Sequence, residues 1–168
     1  AGNAMLKVFT LARWIGVSLK SVDTAQYVMA DDSGLEVDAL GGAPGIHSAR
    51  YASLDENNSR DADNNTKLLR ELESVPAEKR AARFVCQIAL AKIVSRDDTP
   101  EAHLFEGVCE GHIAEATRGE QGFGYDPLFI PGGYEQTFGE LGAEIKNELS
   151  HRAKALAKVV KWINSTAS

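Results

Sequence analysis

The sequence predicts an α/β or α+β protein, a central sheet with flanking helices, and three observations carry this prediction. Short runs rich in strand formers alternate along the chain with segments whose apolar residues recur at helical spacing. No internal repeat or low-complexity tract interrupts that alternation. A chain of 168 residues is long enough for a single domain, residues 1–168, burying roughly two thirds of its unfolded surface.

In chain order, Met5, Val8, Phe9, Ala12 and Ile15 recur every three or four residues and predict a helix over 4–15. After a mixed stretch at 16–25, Gln26, Tyr27, Val28, Met29 and Ala30 form a short apolar run read as a buried strand over 26–30. It ends at Asp31 and Asp32, and LGGAPG at 40–45 reads as turns. Residues 55–65 are very polar, after which Leu68, Leu69, Leu72 and Val75 mark an amphipathic helix closed by Pro76. RFVCQIALAKIV, 83–94, is apolar on both faces and suits the middle of a sheet. The stretch 103–113 alternates more loosely around Gly107 and Gly111 and suggests a bent second strand, the two forming a hairpin. GFGYDPLFIPGG, 122–133, reads as a loop, a short strand at 128–130 and a turn. Ser150 is a candidate N-cap for a terminal helix carrying Ala153, Leu156, Val159, Val160 and Ile163.

Composition narrows the function. Hydrophobic residues at 43% and charged residues at 25% are near globular averages. No apolar run approaches the roughly 20 residues that cross a bilayer. The opening AGNAMLKVFTLARW lacks the pattern of a secretory signal, so the expected location is the cytoplasm. Cys86 and Cys109 lie in strand-like segments and read as buried, reduced thiols. A net charge of -6 without a basic stripe argues against nucleic acid as a partner, and an anionic substrate would need local cations.

Three clusters could carry chemistry. Asp31, Asp32 and Ser33 leave the first strand together before Gly34, where a hard cation such as Mg2+ would find oxygen ligands. The plainer alternative is a solvated turn. Lys146, His151 and Arg152 surround the start of the last helix and read either as an anion site or as surface charge. Phe123, Gly124, Tyr125 and Asp126 offer aromatics to a flat base and a carboxylate to its ring N–H groups, or else form a packed turn. Lys7 could reach phosphate. His47 and Arg50 read as hydrogen bonding within their own loop, and Cys86 has no neighbouring base that would make it a nucleophile.

The stretch ADDSGLEVDALGGAPGIHSARY, 30–51, resembles the signature of the inosine and xanthosine triphosphate pyrophosphatase family. RFVCQIALA resembles that family's central strand, GFGYDPLF its base-facing loop and EIKNELSHRAKAL its C-terminal basic segment, all in the family's order. The resemblance implies a mixed, strongly twisted sheet with two lobes around a nucleotide cleft, and a homodimer. The implied reaction is Mg2+-dependent hydrolysis of ITP, dITP or XTP to the monophosphate and pyrophosphate. By motif match Asp32 is associated with metal and water activation, Asp31 supports it, and Ser33 lies beside them. Phe123, Gly124, Tyr125 and Asp126 line the base pocket, Lys146 contacts phosphate or sugar, and His151 and Arg152 face the purine's oxygen substituents.

The family's opening strand and its Ser/Thr-x-Asn-x-x-Lys turn find no match here. Lys7 instead aligns with a later Asn-Ala-x-x-Lys helix and is the candidate phosphate contact. A second reading follows: a catalytically weak nucleotide-binding or dimeric remnant lacking the triphosphate grip.

Overall fold

The computed structural model describes residues 2–18, 26–53, 57–93 and 101–166. Helix α1 spans Gly2–Ser18, strand β1 Tyr27–Val37, helix α2 Asp61–Glu71, strands β2 Ala81–Lys92, β3 Ala102–Ile113 and β4 Phe129–Pro131, helix α3 Phe138–Leu149 and helix α4 His151–Thr166. The strands form one four-stranded antiparallel sheet in the order β1-β2-β3-β4. In the β3–β4 ladder Gly111 faces Pro131, His112 faces Ile130 and Ile113 faces Phe129. An α/β fold with helices flanking a central sheet is what the alternation of periodicities predicted. Among the described residues no helix is long and apolar enough to cross a membrane.

The chain groups into two compact units. The first holds residues 1–32, 86–107 and 155–168. On one side of its strands, Ala4, Val8 and Ala12 of α1 pack against Val28, Ala89, Ala91 and Ile93. On the other, Ala155 and Val159 of α4 pack against Cys86, Ile88 and Leu90. Side chains alternate across a strand, so β2 must be apolar on both faces to serve both helices. That is the physical origin of its continuous apolar run over 88–91. Cys86 and Cys109 are both buried and in no disulfide, as expected.

The second unit holds residues 33–85 and 108–154. Leu35 and Val37 of β1, Leu68 and Leu72 of α2, Phe84, Phe129 and Phe138 form its core. Phe129 sits between the other two rings, with centroids 4.6 Å from Phe84 and 5.4 Å from Phe138. Arg80 is buried, and its guanidinium donates to the carbonyls of Leu72, Val75 and Ala114. One of these acceptors is the carbonyl of Leu72, the residue that caps the end of α2.

The structure corrects several boundaries. β1 does not stop at the aspartates but runs on to Val37, because Leu35 and Val37 supply a second alternating pair for the core. The polar stretch 55–65 includes the start of α2, whose Asn64 and Asn65 are buried by bonds to loop backbone. Helix α3 had no counterpart in the periodicity reading. Gly142, in a left-handed conformation (φ 77°), breaks it midway and scrambles the apolar repeat. Its start is nonetheless marked by Thr137-x-x-Glu140, the Glu140 carboxylate accepting the Thr137 N–H at 2.8 Å. Ser150 caps α4 as read, its hydroxyl accepting the Ala153 N–H at 3.2 Å. Val94 and most of the 16–25 stretch lie outside the described residues.

Candidate functional site

In the first unit, the carboxylate pair lies within a strand. Tyr27 meets Trp162 of α4 while Val28 packs on α1, so β1 alternates regularly there. Asp32 shares the parity of Val28, and Asp31 that of Tyr27. Lys7 of α1 accordingly reaches Asp32, its Nζ lying 3.3 Å from Oδ1, and it also donates to the Asp31 carbonyl at 2.9 Å. The Asp31 side chain projects to the opposite face. Two carboxylates emerging side by side at a strand end was the expectation. Alternation within an extended strand places the two side chains on opposite faces. Among the described residues no group of three or more histidine, cysteine, aspartate or glutamate side chains is placed to hold a metal. What fits Mg2+ is a single carboxylate completed by substrate phosphates and water, a common arrangement for this ion.

In the second unit, a cavity of about 190 Å3 gathers Ser33, Phe123, Gly124, Tyr125, Asp126, Lys146, His151 and Arg152 from four separate segments of sequence. Leu35, Ser48, Asp61 and Phe84, which the motif reading did not single out, also line it. Gly34 explains how the signature strand passes so close to its neighbouring loop. A Cβ there would lie 2.5 Å from the Gly45 carbonyl oxygen, a contact no side chain tolerates. The Ser48 hydroxyl stitches the same crossing, accepting the Leu35 N–H at 2.9 Å and donating to Gly45 O at 2.6 Å.

The two aromatics of the loop part company. Phe123 is 58% exposed, whereas Tyr125 is 4% exposed and donates its hydroxyl to the Ser48 carbonyl at 2.8 Å. Burial pushes the Tyr125 phenol well above its ordinary range, with smaller contributions from Tyr51, Asp61 and Glu71. Tyr125 is thus a wall of the cavity, and Phe123 offers the open ring face. Two cations attend that ring: Lys146 Nζ lies 4.1 Å from its centroid and the Arg152 guanidinium carbon 5.3 Å.

Asp126 is 2% exposed. Its Oδ2 accepts the Phe123 N–H at 2.8 Å and also bonds Lys146 Nζ. This carboxylate, expected to meet a base directly, is engaged in shaping the loop and pairing Lys146. His151 is buried with its imidazole stacked on Phe84, centroids 4.9 Å apart, while Arg152 is exposed. His47 and Arg50 bond each other, Arg50 Nε donating to His47 Nδ1 at 3.3 Å. Asp61 and Asn65 were invisible to motif reading because nothing local marks them; their partner, Gly124, is about sixty residues away in sequence.

An apolar-walled cavity beside an exposed aromatic face and two cations, on an α/β scaffold, has the chemistry to take a flat, anionic molecule. Comparison with known proteins gives the family. Residues 1–162 match the model of the Ham1 family. A dITP/XTP pyrophosphatase of Geobacillus kaustophilus is 58% identical over 159 residues, spanning 95% of this chain and 70% of that protein. One from Desulforamulus reducens is 48% identical over 164 residues, spanning 98% and 73%. The structure of the Staphylococcus aureus Ham1 protein matches with a TM-score of 0.80 at 37% identity, covering 98% of this chain and 76% of that one. A HAM1 protein from Coxiella burnetii matches at 0.81, also with 37% identity, covering 97% and 75%. The chain belongs to the Ham1 family, in which the two relatives named by activity are nucleoside triphosphate pyrophosphatases, and it falls in the hydrolase class.

Proposed function

We propose that the protein hydrolyses deaminated purine nucleoside triphosphates, ITP, dITP and XTP, to the monophosphate and pyrophosphate. The observation that carries this reading is the Phe123 face flanked by Lys146 and Arg152 beside a cavity lined by His151. A purine stacks on the ring, and its keto oxygen meets the Arg152 donors, where an adenine amino group would leave donors facing a donor. The names of the relatives support the same substrate class.

In the reaction, water attacks the α-phosphorus, the bond from that phosphorus to the bridging oxygen breaks, and pyrophosphate leaves. Asp32 orients and deprotonates the water, and Lys7, hydrogen-bonded to Asp32, supplies positive charge near the phosphates. Asp32 is the carboxylate that would hold Mg2+ together with substrate phosphates, and the ion would supply charge neutralisation for the leaving group. The family resemblance adds a cytoplasmic location and a homodimer to this reading, and light scattering tests the dimer.

The test is pyrophosphate release from ITP, dITP, XTP, GTP and ATP with and without Mg2+. Selective, magnesium-dependent release from the first three is expected, and equal turnover of ATP would sink the proposal. Arg152→Ala should lower the ITP to ATP ratio by about tenfold, the scale of one charge-assisted hydrogen bond.

A further inference from the structure

We infer that Asp61 and Asn65, one turn apart at the start of α2, are positioning residues for base recognition that act on the Phe123 ring through the backbone of Gly124. The inference rests on the reading above that the Phe123 face receives the purine. Gly124 N–H donates to Asp61 Oδ2 at 2.6 Å, and Asn65 Nδ2 donates to Gly124 O at 3.0 Å. One helix therefore holds both polar groups of a single loop residue.

That residue has φ of +62°, a left-handed conformation, with open space where a Cβ would stand. No atom stands where a side chain would pack, and both polar groups of Gly124 are held by α2. Immediately before it, the Phe123 N–H is held by Asp126 at 2.8 Å. The N–H on each side of the Phe123 Cα is thus fixed by a carboxylate, which constrains its φ and ψ and so sets the direction in which its side chain leaves the backbone, the ring itself lying against Lys146 and Arg152. An acid in the first turn of a helix is ordinarily explained by the helix dipole. Here Asp61 also lines the cavity and bonds a loop remote in sequence, and neither fact follows from the dipole. Asn65 is 5% exposed and supplies the donor that a carbonyl oxygen requires.

The physical role is preorganisation. A ring ordered before the ligand arrives spares the conformational entropy that stacking would otherwise cost. Such an effect falls on binding, in substrate and transition state alike, so it moves KM and leaves kcat nearly unchanged.

The experiment compares Asp61→Ala, Asp61→Asn and Asn65→Asp, each alone and with Phe123→Ala. IMP affinity is measured by calorimetry without metal, and KM and kcat for ITP are measured with Mg2+. Asp61→Ala and Asn65→Asp should each weaken IMP binding and raise KM by about tenfold, the loss of one hydrogen bond to a charged or buried partner. Asp61→Asn keeps an acceptor oxygen and should behave like the unsubstituted protein. In the Phe123→Ala background the same substitutions should change affinity by less than about twofold, since the ring they aim is gone. Additive losses in that background, or a fall in kcat as large as the rise in KM, would overturn the inference. Should Asp61→Ala fail to fold by circular dichroism, Asn65→Ala makes the same comparison from the other end. If the unsubstituted protein binds IMP but releases no pyrophosphate from ITP, the assigned reaction is wrong while the clamp remains testable by affinity. If ITP is turned over and the clamp variants leave IMP affinity unchanged, the clamp is wrong and the reaction stands.

Discussion

At the scale of single residues, the structure divides what the motifs had joined. Asp31 and Asp32 are adjacent in sequence and lie on opposite faces of β1, and it is the Asp32 carboxylate that forms an ion pair with Lys7. Asp32→Asn should therefore lower kcat for ITP by roughly a hundredfold or more, the range for losing a positioned base. Asp31→Asn should cost far less, and equal losses in the two variants would restore the carboxylate pair as a unit. The sequence displayed all four residues of the 123–126 loop, but it could not distribute them. Tyr125 turns inward, where its hydroxyl is satisfied by the Ser48 carbonyl, whereas Phe123 stays exposed with Lys146 and Arg152 over its ring.

At the scale of elements, what was legible followed from periodicity, and what was missed followed from its interruption. α4 announces itself by a sustained helical period, and β2 by an apolar run too rich in strand formers to be a surface segment. α3 hides because Gly142 resets the helical phase, and β1 seems to end early because two aspartates interrupt its apolar run. Gly34→Ala tests the crossing that lets β1 continue. With the added carbon 2.5 Å from backbone oxygen, stability in urea should fall by about 1–3 kcal/mol, as for other overpacked sites. The start of α3 has a pH signature. The Thr137 N–H, then its hydroxyl and Arg118, hold the Glu140 carboxyl below its ordinary value. A carboxyl depressed in the folded state stabilises above its unfolded pKa, and that contribution is lost as pH falls through the folded value. The stability difference between the unsubstituted protein and Glu140→Gln should be present at neutral pH and close in acid. A difference that persists at low pH would show that charge is not its source.

At the scale of the whole molecule, family and fold were readable because four motifs occur in one order, and that order is a property of the complete chain. The distances that make a site were not readable. Asp61, Asn65 and Gly124 meet only through tertiary packing, and no local pattern encodes that meeting. Alkaline stability belongs to this scale too. Burial, chiefly, holds both Tyr51 and Tyr125 above the ordinary phenol range, with Glu71 adding to the effect at Tyr51. Burial that favours the neutral phenol contributes stability that is complete below the unfolded value of about 10 and disappears as pH rises through the folded values. Ultraviolet titration should find these two phenols ionising only as the protein unfolds, and Tyr125→Phe should blunt the alkaline loss of stability. Ordinary ionisation of both in the folded protein would contradict the burial.

The two cysteines acquire a use at this point that has nothing to do with catalysis. Cys86 belongs to one compact unit and Cys109 to the other, each fully or almost fully shielded from solvent. Burial also raises the Cys109 thiol above its ordinary value and so slows its reaction with electrophiles. A thiol reagent can modify either only when the surrounding unit opens. The protein therefore carries its own pair of clocks, and the rates at which the two sulfurs are labelled in native buffer time the breathing of each half separately, without an introduced probe.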